Sequence, residues 1–181
     1  MDSVTQVNRA FAVWITGLPG SGKTSIAKKV CESLNAKHLQ LDQIRKVITP
    51  HPEYTEKERD IVYASLAYMG YLLVDSGINV VIDATANKQR YRDLARTLIP
   101  RFVEVYVNCP LEMCIERERI RHAEYSPAHI YASSGKGGTV PGVDVLYEAP
   151  MHPEVVVRSD LLNTDACADV IVEYVRNEVE V

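Results

Sequence analysis

The chain has 181 residues, 46% of them apolar and 24% charged, with a formal net charge of −4. This length suits one domain around a single buried core, and the balance excludes disordered and fibrous classes. The acidic excess argues against a surface that attracts long nucleic acid, while leaving room for a local basic cleft.

In chain order, residues 10–16 (AFAVWIT) form a continuous apolar run, the pattern of a parallel strand buried on both faces. A glycine-rich stretch, GLPGSGKTS, follows directly over residues 17–25. Ile26, Ala27, Val30 and Leu34 then recur at helical spacing, which predicts an amphipathic helix over residues 23–34. Residues 38–41 read as a short second strand ending at Asp42, and TPHP over residues 49–52 breaks the chain. Thr55 with Glu58 three residues later makes a capping-box pair. It predicts a long helix as far as Ser76, with Val62, Leu66, Met69 and Leu73 facing inward and Gly77 as the stop.

Residues 80–83 read as a third strand, 88–99 as a helix ended by Pro100, 102–107 (FVEVYV) as a fourth strand, and 111–121 as a helix. From Arg121 to Gly142 the chain loses its periodicity and includes SSGKGGTVPG; the segment from Arg117 to Gly142 is the predicted mobile lid. Residues 154–157 form a fifth strand and 165–178 a closing helix. Alternating strands and helices predict an α/β fold: one domain, a mainly parallel five-stranded sheet and helices on both faces.

Cys31, Cys109, Cys114 and Cys167 have neither C-x-x-C nor zinc-type spacing, so they read as small buried hydrophobes in a reducing compartment. The polar N-terminus does not resemble a signal peptide, and no apolar run approaches the ~20 residues of a membrane helix. The expectation is a soluble cytoplasmic protein.

Gly17-x-x-x-x-Gly22-Lys23-Thr24 matches the P-loop pattern, and a strand before it with a helix after it is the context that pattern requires. The backbone N–H groups around Gly20, Ser21, Gly22 and Ser25 can form an anion nest at the helix N-terminus. Leu18 and Pro19 complete the loop; Pro19 stiffens it but has no N–H to donate. Lys23 would neutralise the β- and γ-phosphates of ATP, and the Thr24 hydroxyl would ligate Mg²⁺.

Such a loop also serves switches and motors. The chain lacks the final residue of both GTPase signatures, offering Asp83-Ala-Thr-Ala86 and Asn87-Lys-Gln-Arg90, and it lacks the acidic pair of ABC-type motors. A kinase needs a carboxylate near the acceptor hydroxyl, cations to hold the acceptor, and a lid. Asp42 ends the second strand on the ligand-binding edge of an open sheet, and Arg45 lies one helical turn beyond it. A plain helix N-cap is the alternative use of Asp42. Arg117 and Arg121, four apart, would share a helix face toward phosphate or a salt-bridged surface with Glu116 and Glu118. Lys136 is a further candidate lid cation. Asp83 ends the third strand, near the site as a ligand of hydrated Mg²⁺, an orienting group or a cap.

With these residues in place, the chain resembles the adenylylsulfate kinases in WITGLPGSGKTSIA, LVDSGINVVI, FVEVYVNCPLEMCIER and LYEAPMHPEVVV. The resemblance implies transfer of the ATP γ-phosphoryl group to the 3′-hydroxyl of adenylyl sulfate with Mg²⁺, in sulfate assimilation, by a protein that often forms a homodimer. The departures fall on the acceptor side. Leu41-Asp42-Gln-Ile-Arg45 is shorter than the family's Leu-Asp-Gly-Asp-Asn-x-Arg, and its spacing assigns the catalytic carboxylate to Asp42. The family's serine, sometimes assigned as a phosphorylated intermediate, is replaced by Ala86, which leaves direct in-line transfer. At the start of the long helix the family's Arg-x-x-Asn gives way to Arg59-Asp60. Asp42-x-x-Arg45 with Asp83-Ala-Thr and Arg92 is also similar to the polynucleotide 5′-hydroxyl kinase group, which includes kinases of small metabolites.

Both resemblances imply a phosphotransferase with Asp42 as base and Lys23 on the phosphates. Arg45, Arg59, Asp83, Arg92 and Lys136 are then the acceptor-side candidates, and Arg117 closes over the nucleotide. The broader resemblance makes adenylyl sulfate the leading acceptor and a nucleic-acid 5′-end or another metabolite hydroxyl the runner-up. A nucleotide-binding regulator without chemistry is the third reading, and the intact Lys23, Thr24 and Asp42 argue against it.

Overall fold

A computed structural model describes residues 9–120, 125, 130–135 and 138–179. Five parallel strands, β1 (Ala12–Thr16), β2 (Lys37–Gln40), β3 (Val80–Asp83), β4 (Phe102–Asn108) and β5 (Val155–Arg158), are ordered β2-β3-β1-β4-β5. Their connections are α1 (Lys23–Leu34), α2 (Leu41–Ile48), α3 (Glu56–Asp75), α4 (Gln89–Leu98) and α5 (Leu111–Ile120), with α6 (Thr164–Glu178) closing the chain.

Alternation along β1 explains the two layers of helix. Phe11, Val13 and Ile15 point to one face, where Ile26, Ala27 and Val30 of α1 and Cys167, Ile171 and Val175 of α6 cover them. Ala12 and Trp14 point to the other, under Val62, Tyr63 and Leu66 of α3 and Tyr91 and Ala95 of α4. A strand covered on both sides has no polar face, hence the unbroken apolar run in its sequence.

The long helix starts as the sequence predicts, at an N-cap Thr55, and stops before Gly77, whose φ of 79° is left-handed. Its inner face is rotated from the predicted one. Val62 and Leu66 are buried with Tyr63, Ala67, Gly70 and Val74, whereas Met69 and Leu73 are half-buried. The small Ala67 and Gly70 let the helix lie close on the sheet: a β-carbon at Gly70 would sit 2.9 Å from the Ile82 side chain.

Two short elements were not expected. Asp42 does not end β2; β2 stops at Gln40, and Asp42 is in the first turn of α2. Within the predicted lid, Ile130–Ser133 form a short 3₁₀ helix. The strand order places the C-terminal ends of β1, β2 and β3 side by side, the edge on which open parallel sheets bind ligands.

Candidate active site

The P-loop joins β1 to α1 across that edge. Gly22 caps α1 at φ 94° with no side-chain hydrogen bond, so the helix N-terminus keeps its N–H groups for a ligand. Gly20, at φ 80°, runs so close to α5 that a β-carbon would sit 2.3 Å from the Cys114 carbonyl oxygen. Lys23 is buried, and its Nζ donates to Leu18 O at 2.9 Å, bending the ammonium back over the loop.

The loop divides two cavities that share Gly20 and Thr24. The first, about 310 Å³, is bounded by Lys23, Asp42, Arg45, Tyr54, Arg59 and Asp83. The second, about 550 Å³, lies between Ser21, Gly22 and Ser25 on one side and Arg117, Ser159, Asn163 and Thr164 on the other.

In the first cavity Arg45 and Arg59 are both buried and approach the Tyr54 ring, their guanidinium carbons 5.1 and 5.8 Å from its centroid. Arg59 also donates to Tyr54 O at 3.2 Å and to Thr139 O at 2.7 Å, which ties the cavity's outer rim to α3. Asp83 is buried, and its Oδ2 has no hydrogen-bond partner among the described residues; His38 Nε2 lies 3.7 Å away. With Thr24 on the same cavity, this carboxylate offers the hard oxygen donors that suit Mg²⁺, which needs few protein ligands beside phosphate and water. No group of three or more metal-ligating side chains occurs among the described residues.

In the second cavity Arg117 is fixed by Ser159, donating to its carbonyl at 2.8 Å and its hydroxyl at 3.3 Å. Ser159 Oγ in turn donates to Ser21 O at 2.8 Å, so the residue after β5 braces the P-loop. Arg117 therefore belongs to this wall, held by Ser159 and by Cys109 Sγ at 3.5 Å. Burial pushes the nearby Cys114 thiol up to about 12, as expected of an inert packing cysteine. All four cysteines are free thiols.

The expectation that Arg92 contacts the acceptor is corrected. Arg92, on the buried face of α4, is fully buried and borders neither cavity. Its guanidinium pairs with Glu104 at 2.6 Å and donates to Gln89 Oε1 and to the carbonyls of Ala86 and Glu148. It is a brace. Arg96 pairs with Glu154 at 2.6 Å beside it, and Glu148 Oε2 accepts from Gln89 N–H at 2.6 Å. Burial alone would raise the Glu154 carboxyl, but the Arg96 guanidinium and the Glu104 amide hold it below its ordinary value. The LYEAPMHPE stretch is thus anchored by its glutamates, and Tyr147 OH lies 3.1 Å from Thr16 Oγ1.

Ala86 is fully buried at φ 43°, its N–H donating to Tyr63 OH at 3.0 Å. This position faces neither cavity, so the lost serine would not present a hydroxyl to them in this arrangement. In the predicted lid, Tyr131 OH donates to Pro19 O at 2.8 Å, and Asn87 Nδ2 donates to Leu146 O at 3.1 Å just beyond the segment. Arg121 and Lys136 lie outside the described residues. The sequence reading missed Tyr54 and Ser159. Ser159 follows β5 on the binding edge, where the edge rule for parallel sheets would have found it.

The sheet, the P-loop and the paired cavities define a P-loop kinase, a phosphotransferase class. The family model for adenylylsulphate kinase matches residues 9–158, and the chain belongs to that family. It is 36% identical to the adenylyl-sulfate kinase of Picosynechococcus sp., covering 85% of this chain and 86% of that one. It is 32% identical to the probable adenylyl-sulfate kinase of Pyrococcus abyssi, over 90% and 92% of the two chains. A solved structure of the Mycobacterium tuberculosis APS kinase CysC, in complex with AMPPNP and APS, superposes with a TM-score of 0.81 at 28% identity, covering 93% of this chain and 98% of that one. No helix among the described residues is long and apolar enough to cross a membrane.

Proposed function

We propose that this protein transfers the γ-phosphoryl group of ATP to the 3′-hydroxyl of adenylyl sulfate. The observation that carries the reading is the pair of cavities meeting at Gly20 and Thr24, one on each side of the phosphate-binding loop. A donor entering from the Arg117 side and an acceptor from the Asp42 side would meet at the loop, as in-line transfer requires.

Lys23 turns from Leu18 O to the β- and γ-phosphates, and the amides at the α1 N-terminus take the remaining negative charge. Mg²⁺, held through Thr24 with Asp83 nearby, would supply further charge neutralisation on the phosphates. Asp42 accepts the proton of the acceptor hydroxyl. Arg45 and Arg59 bind the anionic part of the acceptor, and Arg117 lies along the nucleotide. Transfer in this reading is direct and in line; the position at which the family resemblance places a phosphorylated serine is Ala86, which carries no nucleophile. The homodimer and the cytoplasmic location implied by the family resemblance belong to this same reading, and sedimentation analysis checks the first.

ADP release measured with adenylyl sulfate and, separately, with 5′-hydroxyl oligonucleotides tests the acceptor. Stimulation by adenylyl sulfate alone is expected. Stimulation by the oligonucleotide alone would overturn the assignment, and no turnover with either would remove the activity.

A further inference from the structure

Glu58 enters the sequence as the last residue of a capping box that starts at Thr55, and its carboxylate should turn back to the N-cap amide. Only half of that box forms. Thr55 Oγ1 accepts from Glu58 N–H at 3.2 Å, but the Glu58 carboxylate reaches past the cap. Its Oε2 accepts from the amides of Glu53 at 2.6 Å and Tyr54 at 3.2 Å. Its Oε1 accepts from Arg45 Nη1 at 2.7 Å. One side chain therefore joins α2, the segment at 53–54 and the first turn of α3.

Those three partners, Arg45, Glu53 and Tyr54, all border the first cavity, whereas Glu58 stands behind them. Tyr54 is held at φ 56°, a left-handed backbone that a bulky residue adopts only when its surroundings impose it. Two successive amides converging on one carboxylate oxygen supply that constraint. The resulting pose places the ring against both guanidinium groups.

We infer that Glu58 is a positioning residue for the acceptor: it sets Arg45 and Tyr54 in the geometry that recognises an anionic, hydroxyl-bearing substrate, without touching that substrate. The inference rests on the first cavity being the acceptor site. It separates Glu58 from the donor side, because none of its partners borders the second cavity.

Steady-state kinetics on Glu58→Ala and Glu58→Gln, with AMPPNP binding measured alongside, test this. Removing charge-assisted bonds of this kind should raise the KM for adenylyl sulfate about tenfold or more in Glu58→Ala, with AMPPNP affinity kept within about twofold. Gln retains one acceptor oxygen and should fall between wild type and Ala. Adding Glu58→Ala to Arg45→Ala should cost less than in the wild-type background, since the two act as a unit. An unchanged KM in Glu58→Ala, or an equal loss of AMPPNP affinity, would overturn the inference. If the Ala variant does not fold, the Gln variant decides by the same two readouts. If the wild type does not turn over adenylyl sulfate, the acceptor assignment fails independently, and amide hydrogen exchange at residues 53 and 54 decides the role of Glu58. Faster exchange there in Glu58→Gln, with α1 unaffected, supports it; unchanged exchange refutes it.

Discussion

The two walls of the phosphate site are built from different material. Around the second cavity, the proposed donor side, main-chain groups dominate: the α1 terminus without a side-chain cap bond, the left-handed Gly20 and Gly22, and the Ser21 carbonyl braced by Ser159, with Arg117 as the cation. Around the first cavity, the proposed acceptor side, the chain uses side chains, namely Asp42, Arg45, Tyr54 and Arg59, with Glu58 holding Arg45 and Arg92 holding Ala86 O beside Thr85 of the rim. A triphosphate is the same in every P-loop protein, so a rigid backbone nest serves all of them. An acceptor differs from kinase to kinase, and exchangeable side chains are the means to change it.

If that division holds, damage to the acceptor scaffold should spare the donor side. The largest effect is expected from Arg92→Ala, which leaves the buried Glu104 with only the longer Arg96 contact at 3.3 Å and releases Ala86 O and Glu148 O. Loss of one partner of a buried ion pair costs about 3–5 kcal/mol. Denaturant unfolding should show that loss, and any folded fraction should still bind AMPPNP. Next comes Asp42→Asn, expected to lower kcat about a hundredfold with nucleotide affinity intact, because removal of a general base acts on the chemical step. An unaffected rate would remove Asp42 from that role. Arg117→Ala tests the opposite wall: the KM for ATP should rise about tenfold, the range of one lost charge-assisted contact, while the KM for the acceptor stays put.

The smallest expected effect is on acid stability. Glu154 titrates below its ordinary 4.5 in the folded protein, so its contribution is complete above that pH. It is lost as the pH falls through the lower folded value. In Arg96→Ala the acid-side fall in Tm attributable to Glu154 should shrink, which a Tm profile between about pH 3 and 6 would record. A profile parallel to wild type would show that Arg96 does not hold that carboxyl.

Local signals carried much of this arrangement. The apolar run before Gly17, the Gly-Lys-Thr spacing and the Thr55 cap are written within a few residues each, and each appears where the sequence places it. The reading failed where partners lie far apart in the chain. An arginine four residues after Lys88 reads as a ligand-binding cation until Glu104 and the Glu148 carbonyl are brought around it. Glu58 reads as a helix cap because its true partner, Arg45, is thirteen positions away on another helix.

Taken alone, the sequence determined that a strand, a phosphate-binding loop and a helix follow one another and that a parallel α/β sheet contains them. Backbone dihedral preferences and apolar periodicity are properties of neighbouring residues, so they survive in one dimension. Only the tertiary structure decided which charged side chains face the cavities and which are consumed in the scaffold. That choice depends on burial and on partners from distant segments, and an arginine's letter is the same in both places.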